Sequence, residues 1–214
     1  MIVRILITAG PTREAIDPVR YISNRSSGRM GYALAAEAQA RGHHVLLVSG
    51  PVTINTPEGC RKISVESADE MFDAVAENID EVDAAIMSAA VSDYAPVHVA
   101  VEKIKKNDQG LMLKLAKTRD ILAAVREKFH FQGLLVGFAA ETENLRLNAL
   151  KKLKQKECDL MVANDVSRRD IGFDSDYNEV TIFRADGHEE VISRQLKKVV
   201  ACAILDALDD LGSK

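Results

Sequence analysis

The sequence predicts an α/β fold: a three-layer, Rossmann-like domain built on a mostly parallel sheet. Three observations carry this. Short β-rich apolar runs alternate with longer helical stretches along most of the chain. The strand runs are almost continuously apolar, as strands covered on both faces must be. Finally, 214 residues with 47% hydrophobic and 28% charged side chains suit one domain, spanning 1–214, with a sizeable core.

The elements follow in order. IVRILIT (2–8) reads as a buried strand, MGYALAAEAQARG (30–42) as a helix closed by Gly42, and HVLLVSG (44–50) as the next strand. RKISV (61–65) precedes a helix capped by Ser67, with Glu70 three residues on in a capping-box pattern. DAAIMSAA (83–90) is a strand running into a loop. Residues 119–129 read as a helix, GLLVGFAA (133–140) as a strand, 142–157 as a helix and CDLMVAND (158–165) as a strand. VTIF (180–183) and EEVI (189–192) form a hairpin around Asp186–Gly187, and 194–211 is a terminal helix. Residues 94–117 break the alternation. They read as two extended arms around Asn107–Gly110, an inserted β-hairpin acting as a flap or a dimer arm, or else as a long surface connection.

Composition narrows the function. The formal charge is 28 − 32 = −4, which leaves a nucleic-acid role without an electrostatic footprint. The apolar runs fall short of the roughly 20 residues of a membrane span. MIVRILITAG is too short, and too interrupted by Arg4, for a signal peptide. Cys60, Cys158 and Cys202 are odd in number and lack CxxC spacing, as reduced thiols of a cytoplasmic protein would be.

In open α/β sheets ligands sit beyond the carboxyl ends of the strands. After the first strand, Gly10–Pro11 turns the chain, and Ser26, Ser27 and Gly28 precede the helix, offering free N–H groups to an anion. The spacing is not GxGxxG, because a polar insert with Arg13, Asp17, Arg20, Asn24 and Arg25 intervenes. The third long strand ends in SAAVSDY (88–94), where Ala89 and Ala90 admit a ligand to the backbone. Asp93 there is either a ligand contact or a cap. Phe138 is either a base-stacking surface or core, and Asn164–Asp165 close another strand. Lys103, Lys105 and Lys106 cluster in the insert. On a strand, the first two would share a face. Lys152 and Lys156 share a helix face. The chain lacks a GxxxxGK[ST] loop, a Tyr-xxx-Lys pair and a Gly-x-Ser-x-Gly elbow, and His43, His44, His98, His130 and His188 have no metal spacing.

GPTREAIDPVRYISNRSSGRMG (10–31), followed in order by SAAVSDY, EKIKK (102–106), GFAAET (137–142) and MVANDV (161–166), resembles the phosphopantothenoylcysteine synthetase family over essentially the whole chain. The resemblance implies a free-standing or excised synthetase domain without flavin, working beside a separate phosphopantothenoylcysteine decarboxylase. It implies a homodimeric, cytoplasmic ligase that uses CTP and Mg²⁺ to join 4′-phosphopantothenate to L-cysteine through an acyl-cytidylate. Asn24 matches the family asparagine at the acyl carbonyl, Arg20 a neighbouring functional arginine, and Lys103 a lysine on a flap over the site. Ala89, Ala90 and Asp93 match substrate contacts, and Gly10, Ser27 and Gly28 phosphate contacts. Ser88, Asp93, Lys103, Thr118–Arg119–Asp120–Ile121, Phe138, Lys152 and Lys156 match nucleotide contacts. No metal ligand is assigned. Thr118–Arg119 stands where the family has a residue followed by proline, which places Arg119 as an added charge near the nucleotide, and Val101 replaces a proline. Two other readings use the same sheet: an NAD(P)-binding reductase and a noncatalytic binding scaffold.

Overall fold

The structure is a computed structural model that describes residues 3–106, 110–165 and 175–212. In chain order, β1 (Arg4–Ala9), β2 (Arg13–Ala15) and β3 (Tyr21–Ser23) precede α1 (Arg29–Ala40). Then come β4 (His44–Ser49), β5 (Arg61–Ser64), α2 (Ala68–Asn78), β6 (Ala84–Met87), β7 (Tyr94–Pro96), β8 (Leu115–Lys117) and α3 (Ile121–Glu127). The last are β9 (Leu134–Glu141), α4 (Leu145–Gln155), β10 (Leu160–Asp165), β11 (Tyr177–Arg184), β12 (Glu189–Leu196) and α5 (Lys197–Gly212).

Eight strands form the main sheet in the order β12-β11-β10-β9-β6-β1-β4-β5. The six from β5 to β10 are parallel, and the β11–β12 hairpin adds two antiparallel strands at one edge. This is a Rossmann-like α/β fold. Chain order reverses at β1, whose neighbours are β4 on one side and β6 on the other. The crevice beyond β1 and β6 is therefore the place for a ligand.

The core splits across the sheet. One cluster packs Leu6, Met87, Leu135 and Met161 of the strands against Met71, Phe72, Ile121 and Leu153 of α2, α3 and α4. The other packs Ile5, Ile7, Ile86 and Val162 against Leu34, Ala35, Ile204 and Leu208 of α1 and α5. Alternate residues of β1 thus face opposite layers, and full burial on both faces explains its unbroken apolar run.

Several boundaries shift for physical reasons. Helix α3 starts at Ile121, not 119, because the Asp120 carboxylate caps it by accepting the Ala123 N–H at 3.0 Å. The terminal helix begins at Lys197, since residues 194–196 belong to β12, and the hairpin around Gly187 is longer than the two apolar cores alone indicate. Ser67 caps α2 as expected, and the buried Glu14 of β2 adds a second acceptor for the Ala68 N–H at 2.9 Å. The polar insert after Gly10 is not plain loop: β2 and β3 pair antiparallel within it.

Among the described residues the 94–117 segment pairs at its base, where β7 and β8 run antiparallel and the Val97 N–H donates to the Lys114 carbonyl at 3.0 Å. Residues 103–106 are not in a strand, so the expected strand alternation of Lys103 and Lys105 does not hold. The segment lies instead along the β2–β3 turn, through the Ala100 N–H to the Ile16 carbonyl at 3.0 Å. Of the expected Asn107–Gly110 turn, residues 107–109 lie outside the described residues.

Candidate active site

At the end of β1, Gly10 has φ 76°, and Gly28 caps α1 with φ 78°, both in the left-handed region open to glycine. A Cβ on Gly28 would lie 2.7 Å from Val52 Cγ1 and 3.3 Å from Gly10 Cα. A Cβ on Gly31, inside α1, would meet Ala9 Cβ at 2.5 Å and Ser88 Oγ at 2.7 Å. The insert therefore loops out and lets Gly10, Gly28 and Gly31 regroup. One makes the turn, one bares the helix end, and one lets α1 press onto β1 and β6. These are the three roles of a dinucleotide-type glycine loop. The sequence spacing hid the arrangement, and Gly31 escaped attention because its need for space comes from Ala9 of β1 and Ser88 after β6, which close on α1 only in the fold.

The end of β6 is fixed from below. Ser88 Oγ donates to the Thr8 carbonyl at 2.6 Å, and the Ala89 N–H donates to Thr8 Oγ1 at 3.2 Å. Asn24 Nδ2 donates to the Ala90 and Val91 carbonyls at 2.9 and 3.1 Å. Asn24 thus meets Ala90 and Val91, with both of its amide hydrogens on backbone.

Two lobes open on this edge and share Ala89 and Phe138. The larger, about 490 Å³, is lined by Asp93, by Thr118 through Leu122 and by the Phe138 ring. The smaller, about 110 Å³, lies at the N-terminus of α1, where Ser26, Gly28, Gly31 and Ser88 line it together with Asn164. Ser26 lines this lobe, whereas Ser27 does not. Phe138 is half-buried, packed on the α1–α5 side of the core while facing both lobes.

Charges around the larger lobe are largely paired. Arg119 binds Asp69 and Asp73 of α2 at 2.7 Å each and stacks 3.9 Å over the Phe72 ring, so its charge is balanced locally. The expected added positive charge is thereby blunted. Lys156 Nζ meets Asp120 at 2.7 Å, and Lys152 meets Glu141 at 2.8 Å. The two lysines tie α4 to the lobe's rim rather than pointing into it. Burial pushes the Asp120 carboxyl up, but its bonds to Lys156 and the Ala123 N–H outweigh that and hold it low. Thr118 Oγ1 donates to the Ser92 carbonyl at 2.6 Å, securing the start of α3.

Lys103 lies apart from both lobes. It lines a third cavity of about 690 Å³ with Lys105, Lys106 and Arg20. Arg20 is anchored on Asp17 through Nε at 3.0 Å, and its Nη2 donates to the Ile104 carbonyl at 2.8 Å. Among the described residues no three His, Cys, Asp or Glu side chains gather to hold a metal. No helix among them is long and apolar enough to cross a membrane.

Fold and site together define a Rossmann-like α/β domain with a glycine turn at its switch point. The chain belongs to the family described as "DNA/pantothenate metabolism flavoprotein C-terminal domain", whose model matches residues 2–211. It is 47% identical over 211 residues to the "Coenzyme A biosynthesis bifunctional protein CoaBC" of Bacillus subtilis (strain 168), covering 98% of this chain and 52% of that protein. The protein of the same name from Vibrio vulnificus (strain CMCP6) is 46% identical over 209 residues, covering 97% of this chain and 52% of its own length. The chain therefore spans about half the length of the curated relatives it matches. Among solved structures, the C-terminal domain of a bifunctional CoaBC superposes with a TM-score of 0.84 at 42% identity, covering 98% of this chain and 95% of that one.

Proposed function

We propose that residues 1–214 form one domain that joins 4′-phosphopantothenate to L-cysteine at the expense of CTP, as a cytoplasmic homodimer. Family membership and the coenzyme A names of its relatives support this reading. The observation that carries it is the juxtaposition of the regrouped glycine turn with Asn24, Ala89 and Ala90 at the end of β6.

In the reaction, a carboxylate oxygen of the acyl substrate attacks the α-phosphorus of CTP. The bond to the β-phosphate oxygen breaks, and pyrophosphate leaves. The cysteine amine then attacks the acyl carbon, the carbon–oxygen bond to CMP breaks, and the new amide nitrogen releases its proton. The larger lobe takes the nucleoside, with Phe138 and the Thr118–Ile121 turn as its walls. The turn of Gly10 and Gly28 meets the phosphates, with Ser26 in place of the expected Ser27 on the lobe, and Ser88 with Ala89 forms the floor. Asn24 holds the mixed anhydride by turning its longer-bonded N–H from the Val91 carbonyl to the acyl carbonyl. Lys103 and Arg20, which line a separate cavity, would have to move in with residues 103–106 to bring positive charge over the site and shield the anhydride from water.

Mg²⁺ supplies charge neutralisation on the triphosphate. It commonly needs only one or two protein carboxylates beside substrate phosphates. Of the two acidic residues that line the larger lobe among the described residues, Asp120 is engaged by Lys156, which leaves Asp93 as the one to meet a metal. That donor set fits a phosphate-borne Mg²⁺.

The test is pyrophosphate release with Mg²⁺ and 4′-phosphopantothenate, with CTP or ATP, each with and without L-cysteine. Sustained release that needs cysteine and prefers CTP is expected. Release with ATP alone would overturn the nucleotide assignment. Silence with both nucleotides would overturn the ligase, and NADPH is then the ligand to try, because the regrouped glycines also suit a dinucleotide.

A further inference from the structure

The smaller lobe has a second wall that the proposed reaction leaves unassigned. Opposite the N-terminus of α1 stand Asn178 of β11 and Lys197, the first residue of α5. Both are buried, at 5% and 7% exposure. The Asn178 side-chain carbonyl accepts the Glu179 N–H at 3.1 Å, which fixes the direction of the amide. Among the described residues its Nδ2 then finds only the thioether of Met30, at 4.0 Å. A thioether is a weak acceptor, so two buried N–H donors face the lobe with almost nothing to receive them. Leaving such donors unmet is costly, and a ligand that supplies acceptors removes the cost.

The charge of the lobe selects the ligand. Among the described residues its lining includes Arg29 and Lys197 and no carboxylate; Arg29 is paired with Asp176, so Lys197 is the cation that sets the charge of the lobe. The larger lobe, by contrast, carries Asp93 and Asp120. Lys197 is held in place by its bond to the Ser175 carbonyl, and the bare N–H groups of α1 add a positive end on the facing side. At about 110 Å³ against 490 Å³, the lobe suits a compact anion and not a nucleoside.

We infer that Asn178 and Lys197 complete a buried phosphoryl subsite, closing the smaller lobe against a terminal phosphate from the side opposite α1. The inference deepens the proposed ligase and rests on that reading for the identity of the phosphate. Two sources share the chemistry: the far end of the nucleotide triphosphate and the phosphate of 4′-phosphopantothenate.

The experiment is calorimetric titration of wild type, Asn178→Asp and Lys197→Met with inorganic pyrophosphate, CTP, cytidine and 4′-phosphopantothenate, in Mg²⁺. Asn178→Asp is isosteric and turns a donor into a repelling anion, so it keeps the shape of the core. Far-ultraviolet dichroism confirms that each variant is folded, and Asn178→Ser is the substitute if either is not. We expect a loss of about tenfold or more for pyrophosphate and CTP, the effect of removing a hydrogen bond to a charged group, with cytidine changed less than about twofold. The same loss confined to 4′-phosphopantothenate also supports the subsite and assigns it to the acyl substrate. Unchanged affinity for all phosphates in folded variants overturns it. If wild type binds neither CTP nor 4′-phosphopantothenate, the ligase reading fails. Pyrophosphate binding that still depends on Asn178 would then uphold the subsite alone.

Discussion

The Asp17 carboxylate accepts the backbone N–H of Ile104 at 3.1 Å, across 87 positions of chain. The same carboxylate holds Arg20, whose guanidinium returns to the Ile104 carbonyl at 2.8 Å. Both backbone groups of residue 104 are thus tied to one ion pair, and Lys103 and Lys105 flank the knot. Arg20 lowers the Asp17 carboxyl far below the ordinary carboxylate range, helped by N–H groups of Val19, Ile104 and Arg20 and opposed by burial. Because the folded pKa is depressed, the contribution is present above the ordinary carboxylate value and is lost as pH falls through the folded one. Asp17→Asn is expected to release residues 103–106 at neutral pH, read as faster amide exchange at Ile104 and earlier proteolysis there. Wild type should keep its protection down to about pH 4, after correction for intrinsic exchange. Equal exchange in the two proteins at pH 7 would show that the knot holds nothing.

Gly31 separates crowding from backbone strain. Its φ is ordinary, yet a Cβ would sit 2.5 Å from Ala9 Cβ and 2.7 Å from Ser88 Oγ. Gly42 is the converse, with φ +84° and nothing within 4 Å of the added atom. Gly31→Ala should cost about 1–3 kcal/mol in denaturant unfolding by forcing α1 off the sheet, and it should weaken nucleotide binding. Gly42→Ala should cost about 1–2 kcal/mol from left-handed strain and leave binding untouched. If both variants bind equally well, close packing of α1 is not what shapes the glycine turn.

The sheet was legible because its signal is local. Five of the six parallel strands are apolar runs, the edge strand β5 (RKIS) being the exception, and outside 94–117 every expected strand and helix is present within a few residues. The misses share one cause. Residues 103–106 look like an extended arm, yet their backbone partners are Asp17 and Arg20, which no local pattern reveals. The β2–β3 pair is three residues long on each side, too short to show alternation. At the site, Asn24 and Ala89 announce themselves as polar or small groups beyond strand ends, and Phe138 as an aromatic in the last half of a strand. Asn178 does not, because it opens an antiparallel strand and reads as a turn residue before VTIF. The signal for it was an amide about to be buried. That becomes visible only once β11 is known to lie beside β10.

The thiols are free and suppressed. Burial pushes the Cys158 thiol up to about 12, with Arg126 and Lys156 pulling the other way, and burial also raises Cys60 and Cys202. A thiol of pKa near 12 carries a thiolate fraction of about 10⁻⁴ at pH 8, so the native protein should react slowly with a chromogenic disulfide reagent and Cys158 should react last. All three should react at once in guanidinium. The raised values also mean that stability falls as pH climbs past the ordinary thiol value of about 8.5. A rapid one-equivalent burst from the folded protein would contradict the burial of these groups.

Asn24 and Lys103 act on different halves of the proposed reaction, so their variants should fail differently. Asn24 reaches the end of β6, where an acyl group would rest, and Lys103 stands with Arg20 in a separate cavity. Asn24→Ala should still form acyl-cytidylate and release one equivalent of pyrophosphate, but it should pass little of the acyl group to cysteine. Lys103→Gln removes charge that stabilises the first transfer, so turnover should fall by about 10²–10³, with the pyrophosphate burst falling in step. Single-turnover assays with labelled CTP separate the two, since accumulated acyl-cytidylate is expected in the first variant and not in the second. The Asn24 bonds to Ala90 and Val91 set a further condition. If the residue only braces that strand end, Asn24→Ala should lower melting temperature and both half-reactions together. Loss confined to the second half-reaction, with stability kept, places the amide at the acyl carbonyl.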